Sequence, residues 1–210
     1  MGSLKLVPKE REWSVVITSF LLCAVSLMAA DRARKVNLGS AAGFLMQACA
    51  GALGIIHSYS EDPPLLLSAS LMEVSWVAMV IGLPLVSFGF HWLSDDRLAA
   101  NSVVSGGILA AACSGTLAEE GRETAIRLAI TAPLLSILTV CLFTTNLCGV
   151  AGSLAICLVG VVMELQLDEL PGLKKVDVQN LLLASGIVAL QRALDTLQRA
   201  LDTQQRADVA

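Results

Sequence analysis

The chain has 210 residues, of which 55% are hydrophobic and 15% are charged, and its formal net charge is −4. Soluble domains carry about 25% charged residues, so this composition excludes an ordinary soluble domain. The absence of a basic patch in the sequence excludes nucleic acid as a partner. Because the apolar residues fall in blocks about as long as a bilayer is thick, and only helices satisfy their backbone there, we predict an all-α polytopic transmembrane helix bundle. It has six or seven spans and a short amphipathic C-terminal helix.

The first apolar block covers 13–30 and has the length of either a membrane helix or a cleaved signal peptide. Arg32, Arg34 and Lys35 follow it directly. Basic residues at this position resist translocation, so the sequence favours a retained first span.

The second block, 38–56, carries small residues at helical spacing. Gly39 and Gly43 form a GxxxG pattern, which lets two helix backbones approach closely. The pattern predicts that this face packs against another helix.

The third block is predicted as a span over 68–90 and contains a carboxylate and a proline. Two alternatives are open: the helix begins near Glu73, or it begins earlier, is tilted, and is kinked at Pro84. In the second case Glu73 lies inside the membrane, where an ionisable group is costly and is therefore a functional candidate. In the first case it lies at the membrane surface.

The fourth block, 98–118, has small residues at every fourth position. They are Ser102, Gly106, Ala110 and Ser114. A helix with so little bulk on one side fills space poorly against lipid, so we predict that it is central, with other helices packed on this ribbon. Asn101 adjoins the ribbon and is a candidate member of an intramembrane polar site.

The fifth block covers 125–143 and the sixth covers 147–163. Arg127 lies about one turn inside the fifth block, close enough to the surface for its side chain to reach water. Since alternate spans run in the same direction, Arg127 enters from the same side as Glu73, and the two can pair. Glu73, Arg127 and Asn101 together form the candidate intramembrane polar site.

The last apolar run is followed by an internal repeat. The run is short, so a seventh span over 178–194 and a half-buried interfacial helix are both open. The sequence LQRALDT occurs at 190–196 and again at 197–203. This repeat predicts either a short partner-binding helix or a tandem duplication in a tolerant tail.

Charges in the repeat have the spacing of ion pairs within a helix. Asp195 precedes Arg199 by four positions, which is the favourable order for an i,i+4 pair. We divide the chain into a single transmembrane domain over 1–190 and an amphipathic tail over 191–210.

No motif in the sequence predicts a catalytic, cofactor or metal site. The spacings GxSxG, HExxH, Walker and Rossmann are absent from the sequence. His57 and His91 end adjacent antiparallel blocks and so face opposite sides, and the six cysteines lack zinc spacing.

Two functional hypotheses remain. The first is a non-enzymatic scaffold or partner-binding membrane subunit, which the small-residue faces favour. The second is a small transporter or channel-like protein that uses an intramembrane carboxylate. In both, the lipid bilayer surrounds the chain, another membrane protein is the candidate partner, and the compartment is the endomembrane system or the plasma membrane.

Several short stretches recur in the order of a known family. They are Glu12-Trp13-Ser14, Ala41-Ala42-Gly43-Phe44-Leu45, VIGLPL at 80–85, Phe90-His91-Trp92, Asp96-Arg97, Ala100-Asn101, Glu120-Gly121-Arg122 and Phe143-Thr144. In this order they resemble the vertebrate transmembrane protein 276 family, over nearly the whole chain up to about Ala193. The stretch 80–101 is the most specific.

The resemblance implies a polytopic membrane protein and carries over no catalytic residue, because the family has none assigned. This chain departs from the family at Gly89, where the family has an acidic residue, and in the LQRALDT duplication.

Overall fold

The computed structural model describes residues 13–60, 63–114, 116, 119–164 and 174–209. The described residues form seven helices and no strand. The helices are α1 (Trp13–Ala33), α2 (Leu38–Tyr59), α3 (Leu65–Leu93), α4 (Arg97–Cys113), α5 (Glu119–Phe143), α6 (Leu147–Glu164) and α7 (Lys175–Val209). The predicted all-α fold is confirmed.

Four of these helices, α1, α2, α3 and α5, are long and apolar enough to cross a bilayer. The helices α4 and α6 are apolar but shorter. The fourth helix ends at Cys113 rather than at the predicted position 118, and positions 115, 117 and 118 lie outside the described residues. The number of spans, six or seven, stays a prediction.

Three tight turns join α1 to α2, α3 to α4 and α5 to α6, so that each pair forms a helical hairpin. Each turn ends in a polar residue whose side-chain oxygen accepts a backbone N–H of the following helix: Asn37, Asp96 and Asn146. In two of the turns the preceding residue has a positive φ, 57° at Asp95 and 52° at Thr145. The caps satisfy N–H groups that a helix start leaves unpaired.

The third helix contains a proline, and its backbone is irregular just before it. A five-residue π-helical stretch, Ala78–Gly82, directly precedes the turn that contains Pro84. Proline lacks an N–H and its ring clashes with the carbonyl four residues earlier, and a π-helical turn gives the ring room. The side-chain nitrogen of Gln47 on α2 donates to the carbonyl oxygen of Ala78 at 2.9 Å. The neighbouring helix thus satisfies a backbone group of the π-helical stretch.

The helices α3 and α7 hold the three hairpins together. The third helix contacts α2, α4, α5 and α7, and the seventh lies against α1 and α6. By contrast, α4 lies mainly against α3 and α5, and its buried residues are Ala100 and Gly107. The prediction that the fourth block is central is therefore corrected: it is a peripheral helix.

The seventh helix runs unbroken through position 191, the predicted start of the tail. Its buried face extends into the first repeat copy at Leu190, Ala193 and Leu194. In the second copy Leu197 is still buried, whereas Leu201 is half-buried. The first copy is thus part of the packed bundle, and the second extends the same helix.

Candidate functional site

The structure does not bring the predicted polar trio together. Arg127 Nη2 lies 2.8 Å from Glu123 Oε1, one turn earlier on α5. The side chains of Glu73 and Asn101 are exposed, and no hydrogen bond or ion pair joins either of them to Arg127 in the described part of the chain. The predicted pair is corrected because Glu123, on the same helix, is within reach of the guanidinium at little further entropic cost.

The start of the third helix determines where Glu73 lies. The helix begins at Leu65, so Glu73 lies eight residues in, which is about 12 Å along the axis. The segment Leu65–Val77 has no buried residue. Glu73 therefore lies on an outward face of the bundle, away from the other candidate residues.

The glycines of the second helix lie at a close helix contact. A Cβ at Gly43 would be 2.5 Å from the carbonyl oxygen of Gly82, and a Cβ at Gly39 would be 3.0 Å from Phe88 Cδ1. Both neighbours belong to α3. A side chain at either position would force the two helices apart.

The predicted ribbon on the fourth helix faces away from the bundle. Around Gly106 a Cβ would meet no heavy atom within 4 Å, whereas at Gly107 it would lie 2.7 Å from Pro84 Cγ. Of the other ribbon residues, Ser102 is exposed, and Ala110 and Ser114 are half-buried. The prediction that Gly106 lies at a close helix contact is therefore corrected, and the adjacent Gly107 makes that contact instead.

A buried polar cluster that the sequence analysis did not single out joins α1 to α7. Asp177 has 0% exposed surface. Its Oδ1 accepts a hydrogen bond from Thr18 Oγ1 at 2.9 Å, and its Oδ2 accepts one from the Lys174 N–H at 3.2 Å. Asn180 Nδ2 donates to Thr18 Oγ1 at 3.2 Å and to Ser19 Oγ at 3.1 Å.

The position of Asp177 in its helix explains why a buried carboxylate is favourable there. It lies in the first turn of α7, where its carboxylate caps a backbone N–H and its charge is favourable beside the positive end of the helix. One oxygen accepts from Thr18 and so joins α7 to α1, while the other accepts from the start of α7 itself. A signal was present in the sequence: Asp177 and Asn180 fall on one helix face at the start of an apolar run.

A groove of about 300 Å³ borders this cluster, between α1, α2, α3 and α7. Its polar lining consists of Ser19, Gln47, His57, Ser58, Ser75, Gln179 and Asn180. These side chains offer hydrogen-bonding groups and include no carboxylate. His57 Nε2 lies 3.1 Å from Ser68 Oγ. In the regions that the structure covers, no group of three His, Cys, Asp or Glu side chains is placed to hold a metal ion.

The chain is an α-helical integral membrane protein. Four of its helices are apolar and long enough to span a bilayer, and many large apolar side chains face outward. Proteins of similar sequence are also named as transmembrane proteins. The chain is 38% identical over 192 residues to Transmembrane protein 276 of Homo sapiens, covering 91% of this chain and 97% of that protein. It is 39% identical over 186 residues to Transmembrane protein 276 of Bos taurus, covering 88% and 93%.

The chain belongs to the transmembrane protein 276 family. The family resemblance drawn from short stretches is therefore confirmed. No protein-family model and no solved structure matches the chain.

Proposed function

We propose that this protein is a non-enzymatic, partner-binding membrane subunit, and that its docking surface is the outward face of α4. This face is defined by Leu98, Asn101, Ser102, Ser105, Gly106, Leu109 and Ala112, all of which are exposed. Their spacing of three or four residues places them on one side of the helix. A helical bundle of this kind suits the endomembrane system or the plasma membrane, which is the compartment we propose.

The open space at Gly106 carries the proposal. A Cβ there would meet no heavy atom within 4 Å, although the adjacent Gly107 is packed against Pro84. A helix face of small residues allows a second helix to approach closely and make many van der Waals contacts. Lipid chains make fewer such contacts with the same face. The docking surface is therefore better suited to another helix than to lipid chains.

The polar side chains of the docking surface support the same proposal. The side chains of Asn101, Ser102 and Ser105 make no hydrogen bond to any residue that the structure describes. By contrast, the hydroxyls of Thr131 and Thr139 on α5 donate to carbonyls four residues earlier. Polar groups that face lipid gain most from a partner helix that supplies hydrogen bonds.

The occupant that we propose is α4 of a second copy of this chain. The carboxamide of Asn101 and the hydroxyls of Ser102 and Ser105 each donate and accept, so the surface is complementary to itself about a two-fold axis. The seven residues of the docking surface carry no charge, so two copies do not repel each other there.

The test is self-association of the purified chain in lipid vesicles, measured by energy transfer between labelled copies as the protein-to-lipid ratio is varied. Gly106→Leu fills the open space and should weaken dimerisation about fivefold or more, the effect of about 1–3 kcal/mol of overpacking. The matched control is Gly160→Leu on α6, where a Cβ also meets nothing within 4 Å. This control should dimerise like the wild type. A monomeric wild type, or equal dimerisation of all three proteins, would overturn the proposal.

The alternative is a small transporter or channel-like protein, and the groove beside Asn180 supports it. Its carboxylate would be Asp177 rather than Glu73, which lies on an outward face. Hydrogen bonds to both oxygens of Asp177 favour a structural role for that residue. Cation flux into proteoliposomes that is lost in a folded Asp177→Asn variant would favour the alternative instead.

A further inference from the structure

A charged cleft of about 420 Å³ lies where α7 passes the turn between α1 and α2. The cleft is lined by Arg32, Lys35, Asp195, Gln198, Arg199 and Asp202. The first two residues come from the end of α1 and the following turn, and the other four come from the repeat region of α7.

The basic side chains of the cleft are not neutralised within the chain. None of Arg32, Lys35 and Arg199 takes part in an ion pair with a residue that the structure describes. The pair predicted from the spacing of Asp195 and Arg199 is not formed. Asp195 instead accepts a hydrogen bond from the side chain of Gln191. The guanidinium of Arg199 is therefore available to a ligand.

The cleft lies at the level of lipid headgroups. The span-length helix α1 ends at Ala33 and the span-length helix α2 begins at Leu38, and Lys35 lies in the turn between them. A turn between two spans lies at the boundary between hydrocarbon and water, where lipid phosphates are found. On α7, Leu197 is still buried in the bundle and Arg199 follows just beyond it.

We propose that this cleft binds the headgroup of an anionic phospholipid. Guanidinium and ammonium groups donate strong hydrogen bonds to phosphate oxygens, which assigns the phosphate to Arg32, Lys35 and Arg199. The carboxylate of Asp202 accepts from a headgroup hydroxyl or ammonium. Three basic and two acidic lining residues leave one net positive charge. The cleft therefore prefers a headgroup of net negative charge to the zwitterionic phosphatidylcholine.

Both copies of the LQRALDT repeat line the cleft. The first copy contributes Asp195 to it and buried residues such as Leu194 to the bundle. The second copy, 197–203, supplies Gln198, Arg199 and Asp202 to the cleft.

The test is lipid binding by the full chain in an uncharged mild detergent, measured by native mass spectrometry with phosphatidylserine, phosphatidylglycerol and phosphatidylcholine. Arg199→Gln should weaken binding of both anionic lipids about fivefold, the effect of one basic residue near an anionic membrane. Arg32→Gln should do the same. The matched control is Arg206→Gln, seven residues further along the same exposed surface and outside the cleft.

Wild type and Arg206→Gln should bind the anionic lipids more tightly than phosphatidylcholine. Equal losses in Arg199→Gln and Arg206→Gln would indicate general attraction and overturn the proposal, as would equal binding of all three lipids. The last measurement adds inorganic phosphate at millimolar concentration to the lipid-bound protein. If it displaces the bound lipid completely, the cleft is a site for free phosphate and not for a lipid headgroup.

Discussion

The hydroxyl of Thr18 on α1 donates a hydrogen bond of 2.9 Å to the carboxylate of Asp177 on α7. The two residues are 159 positions apart, so this bond joins the first described helix to the last. It sets which face of α7 lies against α1, because Asp177 is also held by its own helix start through the Lys174 N–H. A polar bond within an apolar bundle is specific because a mismatched register leaves a buried charge without partners.

Replacing Thr18 with valine removes the hydroxyl and keeps the shape of the side chain. Asp177 and Asn180 then each lose a partner while buried, so we expect a loss of about 1–3 kcal/mol in the free energy of unfolding. Thermal unfolding in mild detergent should show a lower Tm. The control is Thr139→Val, whose exposed hydroxyl bonds only to its own helix and whose loss should cost less than about 0.5 kcal/mol. Equal Tm values for the two variants would contradict this assignment.

Leucine at Gly107 should damage the fold, and leucine at the neighbouring Gly106 should not. The first substitution drives a side chain into Pro84 of α3, and overpacking of this kind costs about 1–3 kcal/mol or more. The second enters open space. The measurement is the yield of folded protein in detergent together with its Tm. A stable Gly107→Leu variant would show that α4 does not pack closely against Pro84.

Arg127 should couple to Glu123 and not to Glu73. The pair with Glu123 is exposed and has the spacing i,i+4, so a double-mutant cycle should give a coupling of about 0.3–0.5 kcal/mol. The same cycle between Arg127 and Glu73 should give none. A large coupling between Glu73 and Arg127 would restore the polar site expected from the sequence.

The two copies of the repeat should differ in their contribution to stability. Leu194 and the equivalent Leu201 are chemically identical, but Leu194 is 1% exposed and Leu201 is half-buried. We expect Leu194→Ala to cost about 2–5 kcal/mol by leaving a cavity, and Leu201→Ala to cost clearly less. Denaturation in detergent monitored by helix content compares them directly. Similar costs would mean that the second copy is packed as tightly as the first.

Features set by local chemistry were predicted well from the sequence. The helix starts near 38, 98 and 147 follow capping residues directly, and the π-helical stretch before Pro84 accommodates a residue that lacks an N–H. The class of protein follows from the length of the apolar blocks, because the bilayer imposes helices on them. These properties depend on neighbouring residues and on the solvent, both of which a sequence displays.

Which face of each helix meets which neighbour was decided only by the tertiary structure. Gly106 and Gly107 are adjacent and chemically identical, yet one faces open space and the other rests on Pro84. Their periodic patterns differ by about 100° of rotation, and in a membrane both inward and outward faces are apolar. The usual contrast between polar and apolar faces is therefore missing. Which face of a helix packs inward is therefore decided by contacts between residues far apart in the chain, such as Thr18 with Asp177. The spacing of neighbouring residues does not encode such contacts.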